Sequence, residues 1–517
     1  MRPHLRRIAL ALAAATALLT ACTSGQRHQD DPSATPRADR TLRVLASSEL
    51  ADMAPVLDQV RKDTGITVRP TYTGTLDAVD LVARGEADRT YDALWLSSND
   101  YLRLRPDAAK KVVSETPVMS SPVAIGVRAE AMDRLRWKPG NVTWSQVERA
   151  VRDGELTYGM TDPARSHSGF ATLISVAAAL SGAQSALTDA DVAKATPRLR
   201  RFFQGQQLTS GSSGWLAQAY TRRGNVDALL NYESVLRGVG GLTVVRPRDG
   251  VVTADYPLST LASSGAGTRA DLRGLTEALR SDAVQKLITD RTRRRPVVPS
   301  VPPTTGLDTS RRRELPFPGT RSVADGLLDS YENKLRRPSR TVYVLDTSGS
   351  MRGDRLRQLK KALIGLTGDF RQREEVTLMP FGSVVKSVRT HVVSPSDPRK
   401  GLTAIREDTD ALAASGDTAV YTSLEKAYEH LGADKDTFTS IVLMTDGENT
   451  TGSPAGHFDT FYRGLTRAER ETPVFPVLFG DSDRTELTHI ADLTGGRLFD
   501  ARTASLDDAF EEIRGYQ

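Results

Sequence analysis

Short runs rich in Val, Leu and Ile alternate with stretches of helical spacing along most of this 517-residue chain. That alternation constrains the fold more than any other feature. Strand, amphipathic helix, strand is the pattern of a mostly parallel sheet covered by helices. In a first block, Leu42–Ala46, Ile66–Tyr72 and Tyr91–Leu96 read as strands and Met53–Thr64 as a helix, and the alternation continues to about Ile288. It breaks at residues 291–319, rich in Pro, Arg, Ser and Thr, which read as a linker or an extended segment laid on a domain surface. Ser322–Leu335 reads as a connecting helix, with Val323, Leu327, Leu328, Tyr331 and Leu335 at helical spacing. A second block starts at Arg340. Its predicted strands are Thr341–Leu345, Val376–Pro380, Ile441–Met444, Val474–Phe479 and Arg497–Phe499. Its predicted helices are Arg355–Phe370, Tyr421–Leu431, Phe458–Arg470, Thr485–Leu493 and Leu506–Ile513. Ser383–Val393, with Val384, Val388 and Val392 alternating, reads as an edge strand or hairpin arm. The fold class is α/β in both blocks, and neither contains a repeat.

The single cysteine, Cys22, rules out an intrachain disulfide. Arg2, Arg6 and Arg7 form a basic start. Ile8–Leu19 follows, an apolar stretch too short for an ordinary membrane span. Leu19-Thr20-Ala21-Cys22 then resembles the lipobox of bacterial lipoproteins. The resemblance implies cleavage before Cys22, a diacylglycerol on its sulfur and an acyl chain such as palmitate on its amine. Residues 23–40 are polar and read as a tether that lifts the folded part off the membrane. The chain carries 69 Lys and Arg against 64 Asp and Glu, and removal of the three leading arginines leaves a net charge of +2. Such a balance does not suit a general nucleic-acid binder. The basic runs Arg293–Arg295 and Arg311–Arg313, flanked by Pro and Ser, read as solvated linker.

Val342–Arg352 reads VYVLDTSGSMR, an apolar strand that ends in oxygen-bearing side chains. Asp346, Ser348 and Ser350 alone are compatible with a helix cap, a phosphate cradle, a nucleophile or a metal site. In a doubly wound sheet, loops at the carboxyl ends of strands converge. By that rule Thr418, which precedes the helix from Tyr421, and Asp446, which ends the strand Ile441–Met444, reach the same edge. All five residues are hard oxygen donors, with no His or Cys beside them, which favours Mg²⁺ or Mn²⁺ over Zn²⁺ or copper. Waters must complete an octahedral shell, and one position is left for a carboxylate of another molecule. Asp354, Asp417 and Glu448 flank the set and read as solvated charges or local caps.

With these residues assembled, Arg340–Gln517 resembles a von Willebrand factor type A domain, whose fold is doubly wound and Rossmann-like. The family's metal-ion-dependent adhesion site carries Asp-x-Ser-x-Ser, a separate Thr and a separate Asp. These match Asp346, Ser348 and Ser350, then Thr418, then Asp446. The resemblance implies a metal-bridged contact with a protein partner that offers an acidic side chain, with Thr418 a direct ligand mainly in the partner-bound state. No P-loop occurs, so the motor of a chelatase-like ATPase is absent.

The first block resembles a type 2 solute-binding protein, the two-lobed ligand-capturing component of bacterial uptake systems. The resemblance rests on Ala46-Ser47-Ser48-Glu49, Tyr91–Asn99, Ser120–Val127, Thr161-Asp162-Pro163, Ser166-His167-Ser168-Gly169 and Asn231-Tyr232-Glu233. It implies a cleft for a small-molecule ligand, with Ser47, Ser48, Ser98, Asn99, Ser121, Asp162, Ser168 and Tyr232 as contact residues. Capping of helices is the competing role for each. Free N–H groups at Ser168-Gly169 are expected to face the cleft. Trp95 and Trp215 read as packing residues. Seven scattered histidines form no metalloprotease motif and no nucleophile elbow, so no catalysis is expected.

The expected organisation is a signal peptide (1–21), a tether (22–40), a solute-binding-like domain (41–290), a linker with its connecting helix (291–339) and a type A domain (340–517). The expected role is a lipid-anchored, extracytoplasmic surface protein in Mg²⁺-dependent adhesion or assembly. The alternative is a solute receptor of an ABC-type uptake system with an accessory type A domain.

Overall fold

Three sheets organise the computed structural model, which describes residues 40–311, 313–366, 373–394, 396–433, 437–478, 483–502 and 513. Cys22, its basic and apolar flanks, Phe370, Phe479 and the helix expected up to Ile513 therefore lie outside the described residues, Ile513 itself excepted. In the first sheet Thr41–Ser47 pairs in parallel with Thr67–Thr73 and Ala93–Trp95. Pro257–Leu261 joins antiparallel to Ala93–Trp95 and to Val112–Pro117. The second sheet is built on Ser121–Arg128, which pairs antiparallel with Ala228–Tyr232, Leu242–Val245 and Thr253–Ala254. Tyr158–Thr161 and Gln206–Ser210 extend it in parallel. The chain passes from the first sheet to the second at residues 118–120 and returns at 255–256, so the first block is two lobes joined by paired crossovers.

Tyr256 sits on the return crossover in a left-handed conformation, φ 44°. Such a backbone is costly for a bulky residue and persists only where the surroundings dictate it. Here its N–H donates to the Ser97 carbonyl at 3.0 Å, its buried ring lies under the Arg294 guanidinium, and its carbonyl accepts from Trp95 Nε1 at 3.2 Å. Trp95 is thus a packing residue, as its sequence setting suggested.

Residues 293–311 and 313–319 pack along both lobes. Arg294 is fully buried, bonds both oxygens of Asp52 at 2.8 and 2.7 Å and donates to the Glu49 carbonyl, all in the first lobe. Arg295 pairs with Glu233 at 2.7 Å in the second lobe. The solvated-linker reading fails for these two residues because each guanidinium meets a carboxylate that sequence separation had hidden. The connecting helix is observed as Arg321–Ser330, ending in a π turn Tyr331–Leu335. Tyr331 packs on Phe203 of the second lobe, and Asp325 accepts from Tyr101 of the first at 2.8 Å.

The third sheet runs in the order Arg389–Val393, Glu374–Phe381, Ser339–Asp346, Phe438–Thr445, Val474–Leu478, Phe499–Asp500. All its pairings are parallel except that of the edge strand Arg389–Val393, as expected for Ser383–Val393. Strand alternation divides its core. Tyr343 and Leu345 face Leu359, Leu363 and Ile405, whereas Val342 and Val344 face Leu424, Phe458 and Ile490. Helices therefore cover both faces, and the sheet is doubly wound.

Two helical expectations change. The helix read as Phe458–Arg470 is Ala455–Gly464 followed by a short turn Glu469–Glu471. A reciprocal cap between Thr466 and Glu469 starts that turn afresh. Pro398–Asp410 is an additional helix, announced by Asp397 at the N-cap and Pro398 in the first turn.

Candidate metal centre and ligand cleft

Ser339–Asp346 is the first strand of the third sheet, and its neighbours on the two sides are reached by opposite crossovers. Asp346 therefore ends a strand at the topological switch point. Its side chain is buried, with Oδ1 accepting from the Ser348 N–H at 2.8 Å and Oδ2 from Thr445 Oγ1 at 2.7 Å. Ser348 precedes a short 3-10 turn without capping it through its side chain. Its hydroxyl instead lies 2.9 Å from that of Ser350, which donates to Asp446 Oδ1 at 2.9 Å. A β-carbon on Gly447 would lie 3.8 Å from the Thr418 hydroxyl and 3.9 Å from that of Ser350. Three separate segments thus bring all five residues to one rim.

The loop 415–417 braces the rim, since the Gly349 N–H donates to the Gly416 carbonyl at 2.8 Å. Burial raises the pKa of Asp346, opposed by the hydrogen bonds from Ser348 and Thr445, and the like charge of Asp446 adds to the rise. Asp417 and Glu448 are exposed, and Asp354 pairs with Arg357 at the surface. Sequence reasoning missed two cations. Arg355 Nη1 donates to Asp446 Oδ2 at 2.6 Å. Lys386 Nζ donates to the carbonyls of Thr347 at 2.7 Å and Ala413 at 3.0 Å. No sequence spacing announces either.

No cluster of three or more His, Cys, Asp or Glu suited to a metal occurs among the described residues. The donor set here is different in kind: two carboxylates and three hydroxyls. It fits a hard, oxygen-seeking dication that keeps waters in its shell.

The cleft departs from expectation. A cavity of about 750 Å³ lies between the lobes, lined by Glu49, Asp52, Tyr72, Asp77, Arg165 and Trp215, among others. Of the eight expected contact residues, Ser48 alone lines it. The other seven are buried side chains. Ser47 bonds Thr75 at 2.7 Å and accepts from the Ser97 N–H at 2.9 Å. Ser98 accepts from the Asp100 N–H at 3.1 Å, and Asn99 donates to Glu115 and Ser259. Ser121 is bonded to Ser234, Asp162 accepts from the Ala164 N–H, and Ser168 meets Thr161 and Ser213. Tyr232 shares a 2.7 Å hydrogen bond with His167.

The physical reason is that hydroxyls at strand ends were equally suited to ligands and to each other, and here they close on each other. The helix starting at His167 is wedged against its own lobe: a β-carbon on Gly169 would meet the Thr161 carbonyl at 2.3 Å. The helix starts that line the cavity are Gly74, before Thr75–Arg84, and Ser212, before Ser213–Arg223. Trp215 has a wall position as well as packing, with Arg497 of the third-sheet region over its ring.

His167 carries a testable consequence. Burial pushes its imidazole down to about 4. The unfolded chain, with an ordinary histidine near 6.5, then binds the proton first as pH falls. Stability from this residue is intact at pH 7 and declines below about 6.5. Thermal melts between pH 7 and 5 are expected to show a fall in midpoint that His167→Asn reduces.

A two-lobed, cleft-bearing α/β domain followed by a doubly wound domain with an oxygen-lined rim is the class defined by this architecture. Residues 42–291 match the family of bacterial extracellular solute-binding proteins, and residues 341–448 match the von Willebrand factor type A domain. The chain thus joins a domain similar to bacterial extracellular solute-binding proteins to one similar to the von Willebrand factor type A domain. Among the described residues no helix is long and apolar enough to cross a membrane.

Inter-alpha-trypsin inhibitor heavy chain H4 of Sus scrofa is 30% identical over 122 residues, 22% of this chain. Heavy chain H1 of Bos taurus is 30% identical over 128 residues, 23% of this chain. The matches span 13% and 14% of those relatives' lengths. Among solved structures, the periplasmic binding protein AfuA from Actinobacillus pleuropneumoniae is 10% identical with a TM-score of 0.46, covering 57% of this chain and 98% of that one. A von Willebrand factor type A protein from Catenulispora acidiphila is 20% identical with a TM-score of 0.29, covering 35% and 42%.

Proposed function

We propose that this protein mediates Mg²⁺-dependent contact with a protein partner, in adhesion or assembly, at a metal-ion-dependent adhesion site made of Asp346, Ser348, Ser350, Thr418 and Asp446. The observation that supports this reading is the meeting of those five oxygen-bearing side chains, from three segments, at one sheet edge. Two carboxylates leave a bound Mg²⁺ or Mn²⁺ electrophilic, so an acidic side chain of the partner is the natural further ligand. The dication supplies the attraction; the chain's own part is to hold the rim, through the Ser348 N–H, Thr445 and the 415–417 loop. The role is binding, without catalysis.

The same reading takes residues 1–21 as a signal peptide, 22–40 as a tether, 41–290 and 340–517 as the two domains and 291–339 as their connection. Cys22 anchors the protein to the cell membrane by lipid. Cys22→Ala is expected to move the protein from the membrane fraction to the medium, and continued fractionation with lipid would count against the anchor. For the adhesion role, capture of envelope proteins on the purified chain is expected in MgCl₂ and to be lost in EDTA. Capture of the same partners in both buffers rejects it.

A second reading is favoured by the cavity between the lobes. A charged, aromatic-walled cleft of about 750 Å³ suits a polar small molecule, which makes the protein a solute receptor of an ABC-type uptake system with an accessory type A domain. Saturable binding of a solute, with a contraction in solution scattering, supports that role.

A further inference from the structure

Asp446 is held by an arginine as well as by a serine. Its Oδ2 accepts from Arg355 Nη1 at 2.6 Å while its Oδ1 accepts from Ser350 Oγ at 2.9 Å. The two sides of the ion pair differ in freedom. The Asp446 side chain is 0% exposed, whereas that of Arg355 is 35% exposed and springs from the first turn of the helix Asp354–Leu366. The guanidinium reaches in from solvent to a carboxylate that cannot move out. Arginine does not shed its proton in proteins, so a permanent positive charge stands beside one of the rim's two buried carboxylates. Lys386 is placed differently: its ammonium is bonded to the Thr347 and Ala413 carbonyls and bears on Asp346 through space alone. Asp354, Asp417 and Glu448, the other acids that flank the rim, face solvent.

We propose that Arg355 is a resident cation of the centre, which holds Asp446 while no dication is bound and competes with the dication for that carboxylate. This rests on the reading of Asp346, Ser348, Ser350, Thr418 and Asp446 as a metal site. A dication held by the rim would meet a like charge already bonded to Asp446, in surroundings less polar than water. Either the two share the carboxylate at a cost, or Arg355 turns out to the solvent it already half faces. Both routes lower the affinity for the dication below that of the same five ligands alone. The same pairing keeps the metal-free rim folded, because Asp446 is never left buried without a counter-charge. The centre is thereby tuned to fill at high concentrations of dication, as found outside a cell, or with help from a partner's carboxylate.

The test uses the full chain and Mn²⁺ alone as the probe, titrated by electron paramagnetic resonance, with melting followed in parallel. Arg355→Gln is expected to bind Mn²⁺ at least about tenfold tighter than wild type. Its metal-free form should melt below wild type and gain more from saturating Mn²⁺, because the ion then supplies the missing charge. Arg355→Lys keeps a cation without the planar fork and should fall between. Equal or weaker Mn²⁺ binding by Arg355→Gln overturns the proposal. Should that variant fail to fold, the decision passes to Arg355→Lys, for which affinity no higher than wild type overturns it. The underlying metal reading fails separately, through unchanged Mn²⁺ binding in Asp346→Asn or through no binding in any form.

Discussion

Asp346→Asn is expected to abolish Mn²⁺ and Mg²⁺ binding, by about 100-fold or more, while leaving the protein folded. The size follows from the composition of the rim. On the proposed metal reading two carboxylates serve the centre, so the change removes half of its negative charge. Loss of even an outer-shell partner costs about 10–100-fold at metal sites, and a direct ligand costs at least as much. The fold survives for three reasons. Asparagine keeps an oxygen for the Ser348 N–H, which donates to Asp346 at 2.8 Å. It removes a charge that burial disfavours, and it removes repulsion with Asp446. Asp346→Ala is the harsher form, since the Ser348 N–H loses its acceptor, at about 1–3 kcal/mol for a buried donor left unmade, while the Thr445 hydroxyl keeps the Gly447 carbonyl at 3.1 Å. An Mn²⁺ titration with parallel thermal melts separates the outcomes. Wild-type affinity in Asp346→Asn removes the centre from this rim, and EDTA-resistant partner capture removes the metal from the function.

Arg336→Ala is expected to destabilise the third-sheet region by about 3–5 kcal/mol. Arg336 follows the π turn that ends the connecting helix, and its guanidinium donates to Glu374 Oε1 at 3.2 Å at the start of a central strand. The side chains are 4% and 1% exposed. Truncation of the arginine takes away the guanidinium paired with a buried carboxylate, which is the costly way to break such a pair. Replacement of both partners, Arg336→Met with Glu374→Leu, is expected to recover most of the loss, because two buried charges then disappear together. For a region of this size the single change lowers the midpoint by about 10 °C. Thermal melts, with proteolysis at residues 336–340 as a local probe, measure both variants. A single variant as stable as wild type would show that the pin between connecting helix and sheet carries no weight.

The alternation of strands and helices was legible because burial on both faces of a parallel sheet demands near-continuous apolar strands. Val342–Leu345 and Ile441–Met444 could be read directly for that reason. The edge strand, expected over Ser383–Val393, forms over Arg389–Val393, so that of the exposed Val384, Val388 and Val392 only Val392 lies on it. The helix Pro398–Asp410 was missed although Asp397-Pro398 signalled its start. The split of Phe458–Arg470 depended on Thr466 and Glu469 capping each other. At the cleft, the hydroxyls of Ser47, Ser121 and Ser168 at strand ends bond other side chains of their own lobes. Their partners Thr75, Ser234 and Ser213 lie 28, 113 and 45 residues away in sequence, beyond a local reading.

By itself the sequence determined two α/β blocks and the five oxygen-bearing residues of the rim, because strand period and strand-end chemistry are local properties. What faces the cleft, and which charges sit beside Asp446, only the tertiary structure decided. Glu49, Asp77 and Trp215 become cavity walls through lobe packing, and Arg355 reaches Asp446 across 91 residues of chain. Coulomb attraction and burial act through space, and a linear reading supplies neither distance.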